Sequence, residues 1–177
     1  MISNAVGDAA SVTLTLKQFL ILETCPEAWQ KLDLYLVRDA EVVFYVGQSY
    51  VAFDRVWRHI RDGFKGRSLV GRFLLCNWPV SLKFTIELWS SQAEPFAAVD
   101  HDLSAAERQL IQQWMPCLNE ALNPNPTSLP AHYAPPTAKI RCSRSLTKLI
   151  HQAEYALAAD ARQKWLADGW GEPSSPT

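Results

Sequence analysis

The sequence has few cysteines, no long apolar run and almost no net charge, and each absence excludes a class of protein. Its four cysteines lie far apart, with no Cys-x-x-Cys pair. This spacing argues against a zinc site, and the lack of an export signal at Met1 to Ser11 predicts reduced thiols in the cytoplasm. No stretch reaches the roughly 18 consecutive apolar residues of a membrane-spanning helix. We therefore expect one soluble globular domain, for which 177 residues with 48% hydrophobic side chains suffice.

The net charge of −1 gives no overall basic footprint of the kind that nucleic-acid-binding proteins usually show. The charges are unevenly distributed, however. The segment from Arg55 to Lys83 contains five further basic residues and one carboxylate, Asp62. A second basic run, residues 139–148, contains no acid. Such runs are commonly a solvated face, so on their own they leave both a solvated face and a phosphate-binding surface open.

A hairpin followed by a helix is the central pattern of the chain. Leu34 to Val37 and Val42 to Val46 are rich in β-branched and aromatic residues, and a polar segment separates them. This predicts two antiparallel strands. A helix from about Asp54 to Gly63 follows, because its apolar residues fall on one side. Arg55 and His59 are four apart and away from that apolar side, so we expect both to be neighbours exposed to solvent.

Further elements are predicted on both sides of this pattern. Val12 to Leu22 fits a short strand and a helical turn equally well. Ser81 to Trp89 alternates between apolar and polar residues and predicts a third strand. Ser104 and Glu107 have the spacing of a capping box that opens a helix reaching about Met115.

The C-terminal third is divided by proline. Residues 124–138 are too proline-rich for a helix or an inner strand and predict an extended connector that lies on the domain or spans to the next element. A long helix follows from Ser145 to about Asp168, ending at Gly169, with a weak apolar stripe of Leu146, Ile150, Ala153, Leu157 and Ala161. The expected organisation is an extension (1–31), a central domain (32–123), the connector (124–138), the long helix (139–170) and a disordered tail (171–177).

The residues of the hairpin and its helix resemble the GIY-YIG nuclease domain. The family's Gly-Ile-Tyr stands here as Asp33-Leu34-Tyr35, and its Tyr-Ile-Gly as Tyr45-Val46-Gly47. Arg55 and His59 then follow at helical spacing. Downstream, residues 104–119 are similar to the helix that carries the family's metal-binding glutamate, here Glu107, followed by a proline and an asparagine. The resemblance covers Asp33 to Asn123, about half the chain, with Asp33 in place of a glycine and a somewhat long segment between Gly47 and Glu107.

This resemblance implies an α+β fold, a small three-stranded antiparallel sheet flanked by helices, and a metal-dependent DNA endonuclease. It implies that Tyr35 is the general base for water, that Arg55 holds a phosphate oxygen and lowers the pKa of Tyr35, and that Glu107 binds Mg²⁺ or Mn²⁺. Tyr45 and His59 would orient water or phosphate, and Asn119 would brace the site. The expected DNA contacts are Gly47, Gln48, Ser49, Arg58, Arg61, Lys65, Arg67 and Arg72.

The expected substrate is double-stranded or branched DNA, in the cytoplasm or at a bacterial nucleoid. The long C-terminal helix would bind DNA through its basic start, pair with a second copy or bind a targeting partner. Two other functions stay open on the same fold: a catalytically silent nucleic-acid-binding module and a protein-interaction domain.

Each site residue also has a structural alternative. Glu107 fits a capping box, and Tyr35 and Tyr45 fit ordinary packing in strands. Asn123 fits the role of Asn119. Gly47 would allow a positive φ at the end of a strand and the close approach of a ligand.

Overall fold

The computed structural model describes residues 9–168, and these form an α+β fold on a four-stranded antiparallel sheet. The strands are β1 (Ser11–Thr15), β2 (Leu34–Arg38), β3 (Val43–Gln48) and β4 (Thr85–Trp89), in the order β1-β4-β2-β3. The helices are α1 (Leu16–Leu20), α2 (Ala52–Phe64), α3 (Leu69–Cys76), α4 (Leu103–Trp114) and α5 (Leu146–Ala167), with 3-10 turns at Glu27–Trp29, Val80–Lys83 and Glu94–Val99. Within the described part of the chain, no helix is long and apolar enough to cross a membrane.

The sheet has one strand more than the three that were expected. Residues 12–22 contain both of the predicted elements, a strand and a helical turn, since β1 runs directly into α1. The Thr15 side chain caps this helix by accepting from the Gln18 amide. The strand β1 pairs with β4 along its whole length, from Ser11 opposite Trp89 to Thr15 opposite Thr85. The segment expected as an extension therefore supplies an edge of the sheet.

The predicted hairpin of β2 and β3 is confirmed. The two strands pair antiparallel, with Tyr35 opposite Gly47. The Asp39 carboxylate closes the turn by accepting from the Glu41 and Val42 amides, at 2.8 Å each. Residues 34–37 of β2 are all buried because the sheet is covered on both faces, which explains their continuous apolar run.

Two predicted boundaries on either side of the sheet are wrong. The third predicted strand begins at Thr85 rather than Ser81, because residues 80–83 form a 3-10 turn. The helix α4 is capped by Asp102, whose side chain accepts from the Ala105 amide, and not by a Ser104–Glu107 capping box. Ser104 lies inside the first turn of that helix, so its hydroxyl does not form the predicted cap.

The core has two parts, one on each face of the sheet, because successive strand side chains point to opposite faces. Tyr35 and Val37 pack with α1, α2 and α3 on one face. Leu34 and Leu36 pack against α4 and the 3-10 turn before it on the other. The site described below lies on the first face, where the tyrosines of both hairpin strands meet α2.

The proline-rich connector lies on the domain. Asn77 pairs with the backbone of Ala134 in both directions, at 2.8 Å each. The ring of Tyr133 packs against the aromatic core, and its hydroxyl donates to Asp39 at 2.7 Å. The connector is therefore anchored to α3 and to the hairpin turn by side chains.

The long helix α5 packs on α1 through Leu149 and Ala153, which are fully buried. The predicted apolar stripe was correct for Ala153 but omitted Leu149, and its last member, Ala161, is exposed. The predicted stop at Gly169 and the predicted tail lie outside the described residues.

Candidate active site

His59 is buried, and the expectation that it faces solvent is wrong. Only 8% of the full surface of this residue is accessible to solvent, because α3 crosses α2 on the side that the apolar stripe leaves open. Gly63 and Gly71 permit this close crossing, since a Cβ on Gly71 would overlap the His59 carbonyl. The second helix thus turns a polar face of α2 into part of the interior.

A chain of hydrogen bonds runs through this interior from β2 to α3. The Tyr35 hydroxyl lies 2.6 Å from His59 Nε2, and His59 Nδ1 lies 2.8 Å from the Ser68 hydroxyl oxygen. Ser68 also caps α3 by accepting from the Gly71 amide at 3.0 Å. Tyr45 completes an aromatic cluster, with its ring stacked 6.1 Å from that of Tyr35 and edge-on to His59.

Burial dominates the electrostatics of this chain. Burial, together with the smaller effect of the neighbouring Arg55 guanidinium, lowers the pKa of His59 from 6.5 to about 4. His59 is therefore neutral at pH 7. Burial also raises the pKa of Tyr35, although Arg55 opposes the shift by a hydrogen bond and by its charge. Arg55 therefore acts on the pKa of Tyr35 in the expected direction, but burial outweighs it and the pKa stays above its ordinary value.

Gly47 is needed for a different reason from the one expected. Its φ is not positive; Gly66 is the described glycine with a positive φ. Gly47 instead lies opposite Tyr35 in the hairpin, and a Cβ there would overlap the Tyr35 phenol ring. The glycine leaves the space that the Tyr35 side chain occupies.

A cleft of about 200 Å³ opens beside these residues. Its walls come from β3, α2 and the start of α3, namely Tyr45, Arg55, His59, Asp62, Arg67, Ser68, Leu69 and Val70. At roughly 30 Å³ per water molecule, this site cleft has room for a phosphate group together with water. Arg55 and Arg67 give its mouth positive charge, which Asp62 only partly offsets.

The other basic residues predicted to contact DNA fall into two groups. Arg58, Arg61 and Lys65 are exposed on α2 and the loop after it and do not line the site cleft, and Arg61 lies over the Trp57 ring at 5.5 Å. Arg72 does not line the cleft. Its guanidinium donates to the carbonyl oxygens of Pro136 and Ala138, at 2.7 Å each, and so holds the connector.

Glu107 lies on α4, half-buried, close enough to both tyrosines for its charge to raise the pKa of each. Burial raises the pKa of its own carboxyl, and a hydrogen bond from Gln48 opposes that shift. Because Asp102 caps α4, this carboxylate is not engaged in a capping box. Gln48 also reaches the Ser104 hydroxyl, at 3.5 Å, so β3 and the first turns of α4 meet here.

The fit of this region to a metal ion depends on Glu107 alone. Among the described residues, no group of three or more His, Cys, Asp or Glu side chains could hold a metal. A single carboxylate suits a hard ion such as Mg²⁺, which keeps several waters and takes its other ligands from substrate phosphates. The donor set therefore fits a weakly held Mg²⁺ or Mn²⁺ and does not fit a closed structural site.

Asn119 braces β3 at its open edge. Its side-chain oxygen accepts from the Val46 amide and its nitrogen donates to the Val46 carbonyl, both at 2.9 Å. Asn123 has another role, because its amide donates to the Pro116 and Asn119 carbonyls and closes the loop. Asn119 is therefore the asparagine that holds the strand carrying Tyr45 and Gly47.

Asp33 stands where the resembled family has glycine, and both of its carboxylate oxygens accept hydrogen bonds. It accepts from the amide and the hydroxyl of Ser91, at 2.7 Å each, and so ties the start of β2 to the segment after β4. Ser49 is held from the other direction, since its amide donates to the Asp33 carbonyl at 2.8 Å. The departure from the family pattern thus supports the hairpin from outside the site.

A larger cleft of about 600 Å³ lies at the end of the sheet, between the residues near Tyr50 and the start of α4. Tyr35, His59, Arg55 and Glu107 do not line it. Arg55 and His59 line the smaller site cleft, and both hydrogen-bond to the buried Tyr35, whereas Tyr35 and Glu107 line neither of the two clefts. The smaller cleft is therefore the candidate site.

The sequence-based reasoning missed Ser68, which contacts His59 directly. One signal was present: a serine before the apolar run Leu69-Val70 has the pattern of a helix N-cap. That pattern predicts the cap but not the second contact, which depends on how α2 and α3 cross.

The chain was compared with family models, with curated proteins and with solved structures, and none of the three comparisons found a match.

Proposed function

We propose that the protein is a metal-dependent DNA endonuclease of the GIY-YIG type, which hydrolyses phosphodiester bonds in double-stranded or branched DNA. The contact that carries this proposal is the 2.6 Å hydrogen bond between the Tyr35 hydroxyl and the neutral His59 ring. A buried tyrosine and histidine beside a half-buried arginine and a half-buried glutamate are unusual, and perturbed titrating groups of this kind favour a catalytic site.

In this proposal Tyr35 and His59 activate water as a pair. The raised pKa of Tyr35 disfavours a free phenolate, so Tyr35 needs an acceptor for its own proton. His59 Nε2 is that acceptor. As a water gives its proton to the Tyr35 oxygen, the Tyr35 proton moves to Nε2, and the resulting hydroxide attacks phosphorus. The bond from phosphorus to the leaving oxygen then breaks, and the imidazolium returns its proton to solvent or to the leaving group.

The positive charge at the mouth of the site cleft supports phosphate binding. Arg55 is held by α2 beside Tyr35, where its planar guanidinium suits a non-bridging phosphate oxygen. Arg67 lines the opposite wall, and Arg58, Arg61 and Lys65 would follow the flanking backbone. Gln48 and Ser49, at the end of β3, would contact the same strand. Arg72 is left out of this surface because the connector occupies its guanidinium.

Glu107 would hold the metal ion, with water and phosphate oxygens as the other ligands. The ion, when bound, supplies positive charge against the oxygens of the phosphate. The Glu107 carboxylate would be held by Gln48, and its charge raises the pKa of both tyrosines. Burial makes an unneutralised carboxylate costly here, which favours a cation beside it.

We propose that three of the four strands correspond to the three-stranded sheet of the GIY-YIG family. The strands β4, β2 and β3 are adjacent and would be the three-stranded sheet of the family, with β1 added outside β4. The tyrosines lie on β2 and on the edge strand β3, and β4 stands between these two strands and β1. An additional strand at that edge leaves the site geometry unchanged.

The test is cleavage of supercoiled plasmid, and of labelled linear and branched duplexes, with Mg²⁺, Mn²⁺ or EDTA. We expect the wild type to cut only with metal, and Glu107→Gln and Tyr35→Phe to lose at least about a hundredfold in rate. Matched controls are Glu154→Gln and Tyr155→Phe, the same changes on the exposed surface of α5. These should cut like the wild type.

Two results would count against the proposal. Cleavage that persists in EDTA would show that the reaction needs no metal ion. Equal rates for Glu107→Gln and Glu154→Gln would show that Glu107 has no role in the reaction. A wild type that binds duplex DNA without cutting it would instead support the silent nucleic-acid-binding module.

The helix α5 gives a second, compatible proposal. Its outer side exposes Tyr155 at 80% and Leu166 at 51% of their full surface. Exposed apolar residues along one helix are typical of a contact with a targeting partner or with a second copy of the chain. Light scattering of the purified protein would separate these, since a monomer excludes the homodimer.

A further inference from the structure

We infer that Ser68 is a positioning residue of the site, whose hydroxyl oxygen accepts the His59 Nδ1 hydrogen and so leaves Nε2 as a bare acceptor for Tyr35. The inference deepens the proposed function and rests on it for its catalytic consequence. The geometry itself does not depend on any activity.

The direction of the hydrogen bonds follows from Arg55. A guanidinium only donates, and Arg55 hydrogen-bonds to Tyr35, so the Tyr35 oxygen receives a hydrogen there. Tyr35 then has its own proton to donate. Of the two groups to which it hydrogen-bonds, His59 Nε2 at 2.6 Å and the Tyr45 hydroxyl, the basic ring nitrogen is the stronger acceptor. A neutral ring with a bare Nε2 carries its hydrogen on Nδ1, where the Ser68 oxygen lies at 2.8 Å.

The fold fixes Ser68 in this position. Its oxygen already accepts from the Gly71 amide as the N-cap of α3, and the side chain is buried. The crossing of α2 and α3 at Gly63 and Gly71 sets the distance between that cap and His59. The hydroxyl therefore cannot turn away from the ring without exposing the first amides of α3.

The tautomer matters for the proposed chemistry. If the hydrogen were on Nε2, His59 would donate to Tyr35 and could not take its proton. A hydrogen bond to the second ring nitrogen is the usual means by which a protein selects the tautomer and orientation of a functional histidine. Ser68 would do this without adding charge, so the ring stays neutral.

Several other groups face His59 and contribute to any dependence on pH. Those around the ring come from both hairpin strands, from α2 and from the loop before α3, and are Tyr35, Tyr45, Arg55, Arg58, Asp62 and Arg67. Glu107 on α4 acts on the two tyrosines. The variants below leave all of them in place.

The first experiment records the ¹⁵N chemical shifts of the His59 ring, assigned by comparison with His59→Gln, for wild type and three Ser68 variants. Wild type and Ser68→Thr, which keeps the hydroxyl, should show Nδ1 protonated and Nε2 bare. Ser68→Ala and Ser68→Gly should move toward a mixture of tautomers. Glycine is included because it caps a helix almost as well as serine, so this variant removes the hydroxyl with little loss of helix stability.

A matched control removes a cap elsewhere. Ser145 caps α5 by accepting from the Lys148 amide, remote from the site. Ser145→Ala should leave the His59 tautomer and the cleavage rate unchanged. An unchanged single tautomer in Ser68→Gly would overturn the inference, because Ser68 would then be only a cap.

The second experiment measures metal-dependent cleavage against pH for the same variants. We expect Ser68→Gly and Ser68→Ala to lose about five- to tenfold in kcat, the loss of one hydrogen bond, and Ser68→Thr to recover it. Equal rates for Ser68→Gly and Ser68→Thr would count against a role in the reaction. If the wild type does not cut DNA, the proposed function fails, whereas the ring spectra still decide whether Ser68 sets the tautomer.

Discussion

The region from β2 to the start of α3 buries polar side chains, whereas the helix α5 leaves most of its residues exposed. In the first region, Tyr35, His59 and Ser68 are buried and each contacts the next. Over the described residues, no buried side-chain nitrogen or oxygen lacks a hydrogen-bond partner. In α5, only Leu149 and Ala153 of 22 residues are buried. Buried polar groups are fixed by several elements at once, so their geometry can be exact enough for chemistry.

The exposure of α5 has the reverse consequence. Its first half packs on α1 and is bonded to the segment after α3, where Gln152 accepts from the Trp78 indole at 2.8 Å. In its second half, Asp160 pairs with Lys17 of α1. Its second half contributes little to the core. We therefore expect substitutions in the hairpin region to alter both stability and chemistry, and substitutions on the outer side of α5 to alter neither.

Among the residues of the candidate site, the largest expected effect on stability comes from Gly47→Ala. The new methyl group would overlap the Tyr35 phenol, which is confined between strands and helix, so overpacking should cost about 3 kcal/mol of unfolding free energy. Urea unfolding measures this, and DNA cleavage should be lost with it. Gly66→Ala is the control: its Cβ meets no atom, so only its positive φ should cost about 1 kcal/mol. Equal losses in the two variants would show that Tyr35 does not fill this space.

The next effect is a dependence of stability on pH carried by His59. The pKa of His59 is about 4 in the folded protein and 6.5 in the unfolded chain. Between these two pH values the unfolded chain therefore binds more protons than the folded protein. The contribution of neutral His59 to the free energy of unfolding is therefore fully present above about pH 6.5, and it is lost as the pH is lowered toward 4. From pH 7.5 to pH 5 this amounts to about 2 kcal/mol.

Urea unfolding of wild type and His59→Gln at both pH values isolates this contribution. We expect the wild type to lose about 2 kcal/mol more than the variant over that range, since glutamine does not titrate. The other titrating groups are common to both proteins. A parallel loss in the two proteins would mean that His59 is not buried in its neutral form.

The smallest effect is expected on the outer side of α5. Leu166→Ala removes an exposed side chain and should change the free energy of unfolding by no more than about 0.5 kcal/mol. Leu149→Ala, on the same helix but fully buried, should cost about 2–5 kcal/mol. Thermal unfolding compares the two. A large loss for Leu166→Ala would show that the second half of α5 is packed after all.

The sequence predicted the elements that are continuous along the chain. The hairpin, α2 and the long helix each carry their own apolar pattern and turn residues, and all are present. The number of strands was wrong because β1 is short and its partner β4 lies 70 residues away, so its pattern also fits a helical turn. The capping box was wrong because Asp102, two residues before Ser104, is an equally good cap and immediately precedes the first residue of α4.

The predicted site residues differ in how far local pattern could describe them. The spacing of Tyr35, Tyr45 and Gly47 brings them together through the register of one hairpin. The environment of His59 was not predictable from α2, because the apolar stripe of that helix defines only one of its two buried sides. The structural role of Gly47 was also missed, since a glycine in a strand does not reveal which side chain needs its space.

By itself, the sequence determined the local elements, because the period of apolar residues and the turn and cap residues act within a few positions of one another. Only the tertiary structure decided that α3 covers His59, that Ser68 meets its ring, and that Asn119 braces Val46 from 73 positions away. Hydrogen bonds of this kind depend on the crossing of helices and the placement of sheet edges. Those are set by packing of the whole core, to which residues distant in the chain contribute together.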